Sequence, residues 1–144
     1  MIKRVICLDV GERRIGVAVS DPLGITAQPV KTIFTKGSEN DAREVLDLAR
    51  QYETDRILLG LPLSLSGDEG YQAGKVRGFA ERLAGMQIRY YDERLTSKLA
   101  ARTLIEGGLS RAKRKKNIDK IAAVYILQSF LDSGGWRENK SEDM

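Results

Sequence analysis

Four acidic positions carry the potential chemistry of this chain. Asp9 ends the apolar run Val5 to Leu8, the neighbours Asp92 and Glu93 end a later expected strand, and Asp119 sits at the start of a strongly apolar segment. A carboxylate at the end of a buried strand needs a partner. With no His and no cysteine cluster, the partners on offer are Lys or Arg, backbone N–H groups, or a hard metal ion held by several carboxylates. Three converging carboxylates repel one another, and a divalent cation among them relieves that repulsion. An all-oxygen site suits Mg²⁺ or Mn²⁺, and two such ions roughly 3.5 to 4 Å apart can activate a water and stabilise a leaving oxygen in phosphodiester cleavage. For Asp92, Glu93 and Asp119 the plainer alternative is that they are only first-turn charges favouring a following helix dipole, a modest effect of about 0.3 to 1 kcal/mol. Neighbours in a strand point to opposite faces, so only one of Asp92 and Glu93 can share a site with Asp9.

Directly before Asp119, the stretch Arg111 to Lys116 holds five basic side chains in six positions. A solvated loop is one reading of such a run. Its place beside a candidate metal ligand favours the other, contact with a nucleic-acid backbone.

The elements that must position these residues follow from periodicity. Val5 to Leu8 and Ile15 to Val19 read as a hairpin reversing at Gly11, and Gln28 to Phe34 as a third strand, which makes an antiparallel meander. A helix is expected from about Glu39 to Tyr52, a central strand over Arg56 to Leu61, a helix from about Glu69 to Ala84 and a fifth strand over Ile88 to Tyr91. Thr96 and Ser97 can cap a helix to about Glu106, which Gly107 and Gly108 stop, and the last helix is expected from about Asn117 to Asp132. The resulting order predicts an α/β fold, a five-stranded mixed sheet in which a meander feeds βαβ units, with helices on its faces. In such sheets the site lies beyond the carboxyl ends of the parallel strands, where Asp9 and the Asp92-Glu93 pair both end up.

The 144 residues suit one domain, expected over residues 1–133, with a polar, frayed tail over 134–144. The composition, 42% hydrophobic and 31% charged, is that of an ordinary soluble protein, and no stretch approaches the roughly 20 apolar residues of a membrane span. Met1 to Arg4 leads straight into the first strand, which leaves no room for a signal peptide. Cys7, the single cysteine, lies in an apolar run and reads as a small buried hydrophobe in a reducing, cytoplasmic setting.

Four segments in order resemble the YqgF/RuvX family: Asp9-Val10-Gly11 with Ile15-Gly16-Val17-Ala18; Gly60-Leu61-Pro62 with Gly67 and Gly70; Asp92-Glu93-Arg94-Leu95-Thr96-Ser97; and Asp119-Lys120-Ile121-Ala122-Ala123 with Ile126-Leu127-Gln128. The resemblance runs from about Lys3 to Leu131. It implies an RNase H-like fold and a nuclease of Holliday junctions or of the 16S ribosomal RNA 5′ end. It also implies Asp9, Glu93 and Asp119 as catalytic, metal-binding acids, and so selects Glu93 over Asp92. Ser64 departs from the Asn that relatives often carry after Gly-Leu-Pro-Leu. Arg13, Arg14, Arg94, Lys113, Arg114, Lys115 and Lys116 are then the candidate nucleic-acid contacts, Arg94 having an ion pair with Asp92 or Glu93 as its alternative. The expected partner is pre-rRNA or branched DNA, with no membrane, and the protein a monomer or weak homodimer. A second reading is an RNA-binding ribosome-maturation or transcription-regulating factor with little nuclease activity. A third, the actin-like ATPases, requires a duplicated domain, and the chain has one Asp-x-Gly hairpin.

Overall fold

The computed structural model describes residues 2–96 and 111–137, with the main chain alone over 111–120. Strands β1 (Val5–Val10), β2 (Arg14–Ser20) and β3 (Ala27–Phe34) form the meander, followed by helix α1 (Ser38–Gln51), β4 (Arg56–Leu61), α2 (Tyr71–Glu81) and β5 (Gln87–Asp92). A short 3-10 turn over Glu93–Leu95 follows β5, and α3 (Arg111–Asp132) is the last element. The sheet has five strands in the order β3-β2-β1-β4-β5. β1 pairs antiparallel with β2 and parallel with β4, and β5 adds parallel to β4. The expected mixed sheet is therefore present, and the described elements follow the expected order.

Both faces are covered, which explains why β1 and β4 are apolar without alternation. On one face Ile6, Leu8, Ile57, Leu59 and Leu61 pack with Val45 and Ala49 of α1 and Val76 and Phe79 of α2. On the other, Val5, Cys7, Ala18 and Leu58 meet Ala123, Ile126, Leu127 and Phe130 of α3, a stripe at helical spacing. The small side chains on this second face let α3 lie close to the sheet. Polar bonds pin it at both edges: Ala27 N donates to Gln128 Oε1 (2.9 Å), Gln128 Nε2 donates to Ile25 O (3.0 Å), and the Tyr91 and Ser129 hydroxyls are 2.8 Å apart.

Three boundaries differ from the sequence expectation. α2 starts at Tyr71 because Glu69 is used elsewhere: its main chain bridges to Leu63, and its carboxylate takes both Nε and Nη2 of Arg77 at 2.6 and 2.7 Å. α2 also stops at Glu81, and Leu83, though buried, belongs to the turn that follows. α3 starts at Arg111, so the basic run belongs to its first turns and is not a loop leading into it. The helix expected between Ser97 and about Glu106 lies outside the described residues. The start of the tail is docked: Trp136 stands edge-on to Phe130 at 6.3 Å between ring centroids, under the Arg89 guanidinium at 4.3 Å. Among the described residues no helix is long and apolar enough to cross a membrane.

Leu127 is fully buried between α3 and the sheet. Leu127→Ala is expected to cost about 2 to 5 kcal/mol, read as a fall in the urea midpoint with an unchanged slope.

Candidate active site

Asp9 is the penultimate residue of β1 and Glu93 directly follows β5, both at the carboxyl ends of parallel strands. Strand alternation decides which acid turns inward. Tyr91 faces the α3 side and Tyr90 the other, so Glu93, two residues after Tyr91, comes to the α3 side, where Cys7 and therefore Asp9 also point. There the two carboxyls hydrogen-bond to each other. Burial first, then the bond to Asp9 and its charge, push the Glu93 pKa from its ordinary 4.5 up to about 8. The pair thus keeps one proton at neutral pH. Cys7 lies beneath it, fully buried, and burial together with the charges of Asp9 and Glu93 raises its thiol well above the usual range. It is a neutral spacer, as expected of a buried Cys.

Asp92 points to the other side and is held below its ordinary range by Arg94. Arg94 Nη2 donates to Asp92 Oδ2 at 2.6 Å, its Nε and main-chain N donate to Asp92 Oδ1 at 3.0 Å, and its Nη1 reaches the carbonyls of Ser64 and Leu65 at 3.3 Å. Of the alternatives for Arg94, the ion pair with Asp92 is therefore present, and through it the guanidinium clamps the loop after β4. That loop is braced further by Ser64, whose Oγ accepts from Asp68 N at 3.1 Å and whose N donates to Asp68 O at 2.9 Å.

Arg13 and Arg14 lie at the β1–β2 turn, just past Asp9, where Gly11 N donates to Arg14 O at 2.8 Å. The Arg14 guanidinium stands 5.7 Å from the centre of the exposed Phe34 ring. Gln72 Nε2 at the start of α2 donates to Glu12 Oε1 at 3.1 Å and ties this turn to the helical layer. Positions 113–116 and 119 belong to the first turns of α3, and the side chains of Lys113, Arg114, Lys115, Lys116 and Asp119 lie outside the described residues. Among the described residues, then, two of the expected acids meet, and no group of three metal-ligating side chains forms.

One residue that the motifs did not single out for a role is Gly60, inside β4. A Cβ built there would lie 2.6 Å from Glu93 Oε1 and 2.8 Å from Ile126 Cδ1. A glycine interrupting an apolar strand is the signal that could have found it.

Two outcomes follow from this geometry. Because folding raises the Glu93 pKa, the protonated carboxyl adds stability that is fully present below about pH 4.5 and lost as the pH rises through about 8. Scanning calorimetry in chelator should show the thermal midpoint of the metal-free protein falling across that window, and Glu93→Gln should flatten the fall. Arg94→Ala should free the loop, seen as faster amide exchange over residues 64–68 with exchange in β4 unchanged.

A family model described as RuvX, Holliday junction resolvase, matches residues 3–133. A Clostridium tetani protein named "Putative pre-16S rRNA nuclease" is 52% identical over 133 residues, which cover 90% of this chain and 96% of that protein. One of the same name from Clostridium acetobutylicum is 48% identical over 133 residues, with 90% and 98% covered. Among solved structures, T. thermophilus RuvC in complex with Holliday junction substrate is similar with a TM-score of 0.60 at 14% identity, over 92% of this chain and 96% of that one. Fowlpox virus resolvase with Holliday junction DNA gives 0.54 at 15% identity, over 90% and 97%. At such identities the likeness is one of fold, the RNase H-like fold. With the family match spanning every described strand and helix and more than half of the aligned residues shared with one curated relative, the chain belongs to the RuvX family of Holliday junction resolvases.

Proposed function

We propose that Asp9, Glu93 and Asp119 hold divalent cations, Mg²⁺ or Mn²⁺, and that with them the chain hydrolyses phosphodiester bonds of structured nucleic acid. The observation that carries this is the Asp9–Glu93 pair, two carboxyls from separate strands forced together in a half-buried site. The donors fit such an ion: they are all oxygen, and the pair retains a proton where a cation would otherwise balance the charge. Position 119 lies four residues before Ala123, the spacing of one helical stripe, and Ala123 is on the stripe buried against the sheet.

Bound there, the metal would polarise the phosphoryl oxygen and lower the pKa of an attacking water. The protein's own part is to hold the carboxylates in place and to release the Glu93 proton as the ion enters. Arg13 and Arg14, at the rim beside Asp9, hold the nucleic-acid backbone, and positions 113–116 extend that basic surface along the start of α3. Arg94, engaged by Asp92, keeps the loop after β4 in position beside the substrate. Precursor 16S rRNA is the favoured substrate, because the relatives sharing 52% and 48% of aligned residues carry that name. A four-way DNA junction is the second, favoured by the family description and by the fold neighbours. One centre suffices for a single cut, so the active form is a monomer or weak homodimer, working in the cytoplasm on pre-rRNA.

Cleavage of a precursor 16S 5′ end and of a four-way junction, assayed side by side with Mn²⁺, tests the reading. Asp9→Asn, Glu93→Gln and Asp119→Asn should each reduce cleavage by at least the roughly 10- to 100-fold that loss of even an outer partner of a metal site costs. Chelator should abolish it. Unchanged cleavage in all three variants would exclude this centre.

A further inference from the structure

β1 and β5 are not neighbours, because β4 runs between them. With strands about 4.8 Å apart, the main chains that carry Asp9 and Glu93 are separated by roughly 10 Å. For the two carboxyls to meet, the Glu93 side chain must pass over β4, and the register says where. Leu59 of β4 is aligned with Leu8 of β1, so the next residue, Gly60, stands beside Asp9. On the other edge Gly60 is aligned with Tyr91, two residues before Glu93 and on the same face. Gly60 is thus the residue of β4 over which the crossing is made.

The space there is fully used. A Cβ on Gly60 would meet Glu93 Oε1 at 2.6 Å, Glu93 Cγ at 3.1 Å and Ile126 Cδ1 of α3 at 2.8 Å. The Gly60 main chain is not in the left-handed region, so an L-residue would be accepted by the backbone and is excluded by the side chains above it. The geometry points to Gly60 as a positioning residue of the catalytic centre, a gap in β4 that lets Glu93 reach Asp9 and fixes how closely α3 covers them. Most of what a methyl group would displace is the movable end of Glu93 and of Ile126. Gly60→Ala therefore changes the position of the carboxylate more than the stability of the sheet. This rests on the reading of Glu93 as a metal ligand and deepens it.

The test uses the full chain, with Mn²⁺ binding by calorimetry, cleavage kinetics and thermal midpoints measured for each variant. Gly60→Ala should weaken Mn²⁺ binding about tenfold or more and lower kcat in step, with KM for the nucleic acid within about twofold of wild type, since the contacts to the substrate backbone are untouched. The two contacts separate by a second substitution. Ile126→Val removes Cδ1 and should restore any loss of thermal midpoint in Gly60→Ala while leaving Mn²⁺ binding weak. In a Glu93→Asp background, where the shorter side chain does not make the crossing, Gly60→Ala should cost about threefold or less. Wild-type Mn²⁺ binding in Gly60→Ala, full rescue of binding by Ile126→Val, or an undiminished penalty in the Glu93→Asp background would each overturn the proposal. Glu93→Gln, run in parallel, separates the two levels. If it binds Mn²⁺ like wild type, the metal reading fails and this inference with it. If it loses binding while Gly60→Ala keeps it, only the role of Gly60 falls.

Discussion

The contact between the Glu93 and Asp9 carboxyls is the constraint around which this end of the molecule is organised. Two acids of like charge, each at the carboxyl end of its own parallel strand with a third strand between them, share one half-buried space. Such a pair cannot carry both charges without a balancing positive group, so it holds a proton in the metal-free protein. Its surroundings accommodate that demand. Cys7 below is neutral, Gly60 leaves the path open, and Asp92, turned to the opposite face and paired with Arg94, contributes the smallest of the effects that raise the Glu93 pKa.

Helix α3 closes the site from above, and its closeness depends on the size of the residues beneath it. Cys7, Ala18 and Gly60 on the sheet and Ala123 on the helix are all small, which allows Ile126 to rest directly on the Gly60 gap. Packing alone leaves a helix free to slide along such a surface. Gln128 removes that freedom by bonding the main chain on both sides of the start of β3, and Ser129 does so at the opposite edge through Tyr91. These polar bonds at the two edges of the layer therefore fix the register of the helix whose first turns carry position 119.

The rim of the site is braced in the same way. Arg94 joins Asp92, the residue before Glu93, to the loop after β4, Ser64 and Asp68 close that loop on itself, and Glu69 with Arg77 anchors its far end to α2. A second brace, Glu12 with Gln72, joins the β1–β2 turn to the same helix. Isolated exposed pairs of this kind contribute little to stability. Their effect here is geometric, since they limit the loops that flank the carboxyls to one arrangement, and preorganisation of this sort is what a site acting on a large anionic substrate requires.

Much of this was legible in the chain itself because it depends on local pattern. Unbroken apolar runs in β1 and β4 announce strands covered on both faces, the Ala, Val and Leu spacing announces α1 and α2, and the absence of His restricts the chemistry to oxygen ligands. Helix ends were less legible because side-chain bonds decide them: Glu69 is withdrawn from α2 by Arg77, and α3 begins at Arg111 because nothing in a run of good helix formers breaks it. Strand alternation narrowed the partner of Asp9 to either Asp92 or Glu93. Choosing between them needs to know which face of β5 α3 covers, a matter of packing between elements distant in sequence. The meaning of Gly60 is of the same kind. A missing side chain is visible in the sequence, but what fills the space is brought there by β5 and α3, and only the folded arrangement supplies it.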